Sequence, residues 1–278
     1  GGVGSGNYFE DENDLSLYIN MWIPFCYFLF LVEKNKVAKL LFATGIVVGI
    51  SSVVVTFSRG GFVGLVAMFI VMFLVSSRKI ITLVVVAACV LLLINLGTMV
   101  TNENYNMRYW ERMSTATDPT EGTAEERLNS WKAGWYMFLD NPLGVGGNNF
   151  QVRFPEYQPP EMPRGMWGRV AHSLWFTLLP ELGIIGVWIF FTLLFYNIKD
   201  LNYLRVSFKN SKDHDMSYFR YFSLACFASF AGYFASGTFI SVLYYPHYWY
   251  LTAFIVAAVN IAAKVQSEDK KTFDSIKV

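Results

Sequence analysis

The chain has 278 residues, of which 54% are hydrophobic and only 15% are charged, and its formal net charge at pH 7 is +1. Several apolar runs approach or exceed ~18 residues, the length of a membrane-spanning helix, and they predict an all-α polytopic membrane protein embedded in a lipid bilayer. Because these runs are continuous rather than alternating, a transmembrane β-barrel is excluded. The near-neutral charge gives no reason to expect a nucleic-acid partner.

Seven membrane-spanning helices are predicted. They cover about residues 14–32, 37–57, 60–76, 80–100, 172–197, 218–242 and 248–263. The polar stretch between the fourth and the fifth helix, residues 101–171, is predicted to be an extracytoplasmic loop. We expect residues 1–278 to form one integral membrane domain. Because the sequence begins GGVGSGNYF without a Met, we expect this domain to be the C-terminal portion of a longer chain, with further spanning helices upstream.

The basic residues of three connectors and of the tail indicate the orientation. They are Lys34, Lys36, Lys39, Arg78, Lys79, Lys199, Arg205, Lys209, Lys212, Lys264, Lys270, Lys271 and Lys277. Seven helices place all of them on one face, which the positive-inside tendency identifies as cytoplasmic.

The opposite, outer face is rich in Arg. Its cations are Arg59, Arg108, Arg112, Arg127, Lys132, Arg153, Arg164 and Arg169. The fork of an Arg side chain matches phosphate oxygens in two places at once, so this face is suited to bind an anion. The alternative is that a long loop crosses the membrane regardless of its charge.

Arg59 lies in the turn TFSRGG between the second and the third predicted helix. A charge so close to the hydrocarbon is costly unless it is paired or lines a hydrated cavity. Gly60 and Gly61 allow a ligand to approach the backbone, and they leave free amides at a helix start, where the dipole favours an anion. We therefore predict an anion site at these three residues. The alternative is a packed turn with an Arg that snorkels to the interface.

An amphipathic helix is predicted in the outer loop after the capping-box pattern of Thr123 and Glu126. The residues on its apolar side are Leu128, Trp131, Trp135 and Phe138. This spacing fits a helix that lies at the outer membrane–water boundary. Arg127 lies one turn before Trp131 and is its neighbour on the helix surface.

Asn141 and Pro142 end this helix, and the sequence LGVGGNNF that follows predicts a Gly-rich turn. Such a turn offers free backbone amides and the side-chain amides of Asn148 and Asn149. Any tight turn has a similar composition, so this one is either structural support or a substrate contact.

His172 begins the fifth predicted helix and lies near Arg169 at the end of the loop. A neutral His at this boundary could take a proton from a sugar hydroxyl at physiological pH, although a structural His is the alternative.

Glu181 lies nine residues after His172, on roughly the opposite side of the helix. We therefore expect Glu181 to make a structural hydrogen bond to a neighbouring helix. The sequence has no metal-ligand spacing, so we predict no metal site.

Three stretches, taken together and in this order, resemble the O-antigen ligase and O-antigen polymerase superfamily, which includes O-glycosylation ligases. They are TFSRGG before an apolar helix, the pattern R-x3-W-x6-F-x2-NPLGVGGNNF, and HSLWFTLLPELGIIG. The resemblance covers nearly the whole chain and implies a GT-C-like glycosyltransferase architecture. One departure is Ser173, since many members have Asn after the His.

The resemblance implies transfer of a glycan from an undecaprenyl-pyrophosphate carrier to an acceptor hydroxyl at the outer face of the bacterial cytoplasmic (inner) membrane, without a metal or other cofactor. Arg59 and Arg127 match the Arg positions of the family and would hold the pyrophosphate. His172 matches its His and would activate the acceptor. The expected substrate contacts are Arg169, Trp131, Asn148, Asn149, Gly60 and Gly61.

The acceptor stays open on this reading, because a lipid-core sugar, a growing repeat unit and a protein Ser or Thr would all fit. Two other classes of function are a transporter or flippase of the same lipid-linked glycan and a non-catalytic subunit of a polysaccharide export complex. A flippase would need charges along a path through the membrane. The Arg residues gather on one face instead, which favours the enzyme.

Overall fold

The computed structural model describes residues 12–56, 58–99, 122–158, 169–211 and 213–276. Every regular element in these ranges is an α-helix, so the predicted all-α class is confirmed. Several cations of the predicted faces lie outside the described residues. They are Arg108, Arg112, Arg164, Lys212 and Lys277.

In the described part of the chain, four helices precede the outer loop. They are α1 (Glu12–Val32), α2 (Lys36–Val55), α3 (Arg59–Val75) and α4 (Lys79–Met99). Two helices lie within the loop, α5 (Gly122–Asp140) and α6 (Phe150–Tyr157). Three follow it, α7 (Leu174–Ser207), α8 (His214–Gly237) and α9 (Pro246–Ile276). The seven long helices outside the loop correspond one to one to the seven predicted helices.

Four of these helices are long and apolar enough to cross a membrane, judged by length and composition of the described residues. They are Glu12–Val32, Lys36–Val55, Leu174–Ser207 and Pro246–Glu268. Two shorter apolar helices are Arg59–Val75 and Lys79–Ala88. The chain is therefore a polytopic α-helical membrane protein, whereas the number of seven spans remains a prediction.

The end of α7 differs from the prediction, because the helix continues to Ser207 through a stretch that was expected to be a basic connector. The prediction followed the apolar run, but a helix can continue beyond the hydrocarbon if its residues find packing partners. Leu204 is fully buried and packs in one apolar cluster with Phe208 and with Ala262 of α9. Contacts between two helices therefore set this boundary, rather than the length of the apolar run.

The central helix is α8, which packs against α1, α3, α7 and α9. Small and polar side chains allow α1 and α3 to approach it closely. The Ser229 hydroxyl donates to the Met21 carbonyl of α1 at 2.6 Å. A Cβ atom added to Gly64 of α3 would lie only 1.9 Å from the Ser236 hydroxyl oxygen. The close approach of Gly64 to Ser236 therefore helps to position α3, whose first residue is Arg59.

A kink at Gly183 interrupts α7, because this residue has φ 62° and ψ −167°. The Gly-rich turn after α5 docks at the kink. The Val145 amide donates to the Pro180 carbonyl, and the Ile184 amide donates to the Pro142 carbonyl, both at 2.9 Å. A Cβ atom added to Gly183 would lie 2.5 Å from the Pro142 carbonyl oxygen, so the backbones can meet here only at a glycine.

Candidate active site

The first turn of α3 carries Arg59, and α1 holds this turn through side chains. Ser58 is the N-cap residue, and its hydroxyl accepts from the Gly61 amide at 2.8 Å and donates to Asn13 Oδ1 at 2.6 Å. One level deeper, Asn20 Nδ2 donates to the Gly61 carbonyl at 2.7 Å. The backbone at Arg59 is therefore fixed by α1 as well as by the cap.

Gly60 and Gly61 are both buried by neighbouring elements. A Cβ atom added to Gly61 would lie 2.2 Å from the Ser16 hydroxyl oxygen, and one added to Gly60 would lie 3.4 Å from Phe239 Cβ. The expectation of a free amide is wrong for Gly61, because its amide binds the cap of its own helix. The two glycines thus allow protein segments to approach, and a contact with a ligand remains a prediction.

Helix α5 contacts the chain just before His172 at two points. The Glu126 carboxylate and the Arg169 guanidinium form an ion pair of 2.7 Å. One turn further along α5, the indole nitrogen of Trp131 donates to the Ala171 carbonyl at 3.0 Å. The helix that bears Arg127 is thereby attached to the segment that bears His172.

His172 lies between this attachment and the start of α7, and its φ of 48° is in the left-handed region. The next residue, Ser173, is fully buried and caps α7 by accepting from the Phe176 amide at 3.4 Å. The Phe176 ring in turn stacks on Trp131, with 5.2 Å between ring centroids and 6° between planes. The backbone is therefore restrained on both sides of His172.

Phe239, in the turn between α8 and α9, connects the two halves of the site. Its Cβ atom lies against Gly60, and its ring centroid lies 6.5 Å from that of Trp131. A continuous set of contacts therefore leads from the first turn of α3 to the His172 segment. All three residues that were predicted to be catalytic are half-buried: Arg59, Arg127 and His172.

Two Arg side chains of the outer loop form ion pairs. Arg169 has its charge balanced by Glu126, and both side chains are about one-third exposed. Arg153 pairs with Glu156 at 2.9 Å on the exposed side of α6. Among the residues that the structure describes, no group of three or more His, Cys, Asp or Glu side chains could hold a metal ion.

The family model described as O-antigen ligase matches residues 44–191, which is more than half of the chain. The chain belongs to the O-antigen ligase family. The matched range extends from α2 into α7 and includes Arg59, Arg127 and His172, so the resemblance found in the sequence is confirmed. No curated protein and no solved structure is significantly similar to the chain. Family membership makes the chain, in general terms, an O-antigen ligase-like glycosyltransferase that lies in a lipid bilayer.

In this O-antigen ligase family member, the predicted apolar side of α5 is divided between two environments. Leu128 and Trp135 are 42% and 47% exposed, whereas Trp131 is turned toward the protein by its hydrogen bond. The fully buried face of α5 lies beside the predicted one and contains Ala133 and Met137. Ala133 and Met137 thus dock α5 on the protein through an apolar cluster with Phe150 and Phe154. Contact of the exposed aromatic side of α5 with the membrane boundary remains a prediction.

Most backbone amides of the Gly-rich turn bind the protein itself, and for these the expectation that they are free is wrong. The amides of Asn148 and Phe150 donate to the two carboxylate oxygens of Glu181, each at 2.9 Å. The side-chain amide of Asn149 donates to the Val145 carbonyl at 2.9 Å. Binding of substrate by Asn148 and Asn149 remains a prediction. Glu181, which binds this turn, lies seven residues, or about 10 Å, beyond the start of α7.

Glu181 makes the structural hydrogen bond to a neighbouring helix that was expected, because Phe150 is the first residue of α6, and it also binds two turns. Besides the two turn amides, its carboxylate accepts from the hydroxyl of Tyr244 in the turn between α8 and α9. Burial, together with the hydrogen bond to Glu181, raises the pKa of Tyr244. Glu181 is only 3% exposed and joins three segments of the chain.

Sequence reasoning missed the polar residues of α1 that hold the α3 turn, Asn13, Ser16 and Asn20. A signal was present, because they are spaced three and four residues apart and so share one face of a helix. Phe239 gave no such signal, since one aromatic residue in an aromatic-rich turn does not indicate its neighbours.

Proposed function

We propose that this protein transfers a glycan from an undecaprenyl-pyrophosphate carrier to an acceptor hydroxyl at the outer face of the bacterial inner membrane. The observation that best supports the proposal is the set of contacts from the α3 turn through Phe239 and Trp131 to Ala171. It joins segments that are distant in the sequence and that carry the Arg and His residues expected for this chemistry.

In the proposed reaction the acceptor hydroxyl gives its proton to His172, and its oxygen forms a bond to the anomeric carbon of the donor glycan. The bond between that carbon and the pyrophosphate oxygen breaks, and its electron pair leaves with undecaprenyl pyrophosphate. A single displacement of this kind inverts the configuration at the anomeric carbon. The proton held by His172 is then released to water.

Arg59 and Arg127 are assigned to the pyrophosphate in this reaction. Negative charge grows on the bridging oxygen as the bond breaks, and positively charged donors placed there in advance stabilise that charge. The effect is larger near the hydrocarbon, because fixed charges interact more strongly in a low dielectric than in water. Arg59 is the first residue of α3, and Arg127 lies on α5. Contacts with other segments hold both helices, which keeps the two guanidinium groups in place.

The outer-face location is proposed from the orientation of the helices. α2 starts beside the basic connector at Lys34 and Lys36 and ends three residues before Ser58 and the Arg59 turn. The two ends of this helix are about 30 Å apart, the thickness of a bilayer core, so the basic connector and Arg59 belong to opposite faces.

The test is transfer in vitro by the purified full-length protein, with a lipid-pyrophosphate glycan as donor and with separate acceptors of each class. We expect a glycosylated product and release of undecaprenyl pyrophosphate, with and without EDTA. The proposal would be overturned by movement of the donor between leaflets of a proteoliposome without any product, which is the behaviour of a flippase. Loss of product in EDTA alone would contradict the metal-free reaction.

A further inference from the structure

Trp131 was expected to contact the substrate, but its surroundings in the structure point to another role. Its indole N–H already donates to the Ala171 carbonyl at 3.0 Å, so it is not available to a sugar hydroxyl. Its ring is stacked on Phe176 and borders Phe239. An indole has only one hydrogen-bond donor, and here the protein uses it.

The residue after that carbonyl is His172, and its backbone is in an uncommon conformation. A φ of 48° is disfavoured for a residue with a Cβ atom, and such a conformation persists only where the surroundings impose it. The preceding peptide is held by Trp131 and the following residue caps α7. These two restraints limit the directions in which the imidazole can leave the backbone.

We propose that Trp131 is a positioning residue that holds His172 in this conformation through the Ala171 carbonyl. The proposal rests on the function proposed above, in which His172 takes the proton of the acceptor. Trp131 then acts on the proton-transfer step and leaves the binding of the donor unchanged. It also makes the orientation of His172 depend on the docking of α5, the helix that carries Arg127.

The test compares two changes that remove the N–H and keep the aromatic stack. One is Trp131→Phe, and the other replaces the indole of Trp131 with the equally shaped benzothiophene, which has no N–H. The control is Trp135→Phe, since Trp135 lies one turn further along α5 and is exposed. Steady-state rates are measured with the donor and the acceptor varied separately, and the melting temperature of each variant in detergent is recorded.

We expect both changes at Trp131 to lower kcat about five- to tenfold, the loss that follows from one hydrogen bond, and to leave both KM values within about twofold of wild type. The control should match wild type. A raised KM with unchanged kcat would show that Trp131 binds substrate, and unchanged kcat and KM would show that it has no role. If Trp131→Phe does not fold, the benzothiophene variant decides between these outcomes.

A failure of this proposal is distinguishable from a failure of the proposed function. If the wild-type protein transfers glycan and the variants do so equally well, only the role of Trp131 is refuted. If the wild-type protein transfers nothing to any acceptor, the proposed function is refuted, and the role of Trp131 is refuted with it.

Discussion

Glu126 and Arg169 form an ion pair of 2.7 Å that ties α5 to the segment before His172. Their side chains are 30% and 29% exposed, so we expect the pair to stabilise the fold by no more than about 1 kcal/mol. The main consequence of the pair is electrostatic, because it balances the positive charge of Arg169. The Glu126 carboxylate opposes the field of Arg169, which is predicted to contact the substrate.

The first prediction follows from this opposition. Glu126→Gln removes the negative charge but keeps a group that can hydrogen-bond Arg169, so we expect the KM for the donor to fall about two- to fivefold. Arg169→Gln should raise it. Initial rates at varied donor concentration test both changes. Donor KM values that stay at the wild-type level in both variants would restrict Arg169 to tethering α5.

The second prediction concerns the three residues assigned to the reaction. Arg59→Ala, Arg127→Ala and His172→Ala should each reduce transfer at least about a hundredfold without loss of expression, because each removes a charge or a proton acceptor at the reacting atoms. Arg153→Ala is the matched control, since Arg153 pairs with Glu156 on the exposed side of α6. Normal glycan on cells that carry His172→Ala would refute its role as base.

Arg59→Lys refines the second prediction. It keeps the charge and removes the fork, so we expect most of the activity to be lost. Full activity of this variant would show that Arg59 serves the packing of the turn.

The third prediction concerns the buried carboxylate of Glu181. Glu181→Gln replaces one acceptor oxygen by an NH2 group that faces donors, so we expect a loss of about 2–3 kcal/mol in the free energy of unfolding. Glu156→Gln, at a side chain that is 53% exposed, should have almost no effect. Unfolding in detergent measures both. Equal stability of the two variants would contradict the hydrogen bonds assigned to Glu181.

The fourth prediction is a pH dependence of stability at Tyr244. Its pKa is raised in the fold by burial and by Glu181, so the neutral hydroxyl contributes stability at any pH below about 10, where an unfolded Tyr is also neutral. Above about pH 10 this contribution is progressively lost. We therefore expect the difference in Tm between wild type and Tyr244→Phe to shrink between about pH 10 and pH 11. A constant difference would contradict the raised pKa.

The fifth prediction tests the approach of α1 to the α3 turn. Gly61→Ala adds a Cβ atom 2.2 Å from the Ser16 hydroxyl oxygen and 2.5 Å from Ser16 Cβ, so we expect it to displace the turn that carries Arg59 and to lower transfer about tenfold or more. Ser16→Gly removes both of these atoms. The double variant should therefore recover much of the activity, and a double variant no better than Gly61→Ala would locate the damage elsewhere.

The positions of the long helices could be predicted because each follows from a mainly apolar run, and such runs are local properties of the sequence. The end of α7 could not, since Leu204 continues the helix by packing on Ala262 of a distant helix. The same holds for α5. Periodicity predicted its aromatic residues, but the partners Ala171 and Phe176 from distant segments hold Trp131 inward while Trp135 stays exposed.

The candidate site was predictable in its residue types and less so in their surroundings. Arg59, Arg127 and His172 were identified from a pattern that the family match includes. The amides of the Gly-rich turn were expected to be free. Several of them bind the carbonyls of Pro180 and Glu181 and the Glu181 carboxylate, which lie next to the kink at Gly183. Nothing local in the sequence of the turn indicates these partners. Which donors remain available to a ligand is a tertiary property.

The boundaries of the family match have a consequence for experiments on fragments. The match covers residues 44–191, yet Asn13 and Asn20 of α1 and Phe239 after α8 hold the turn that carries Arg59. A protein cut at the limits of the match would keep the expected catalytic side chains and lose the scaffold that orients them. Chimeras with other members of the family should therefore exchange α1, α3, α8 and the turn that contains Phe239 together.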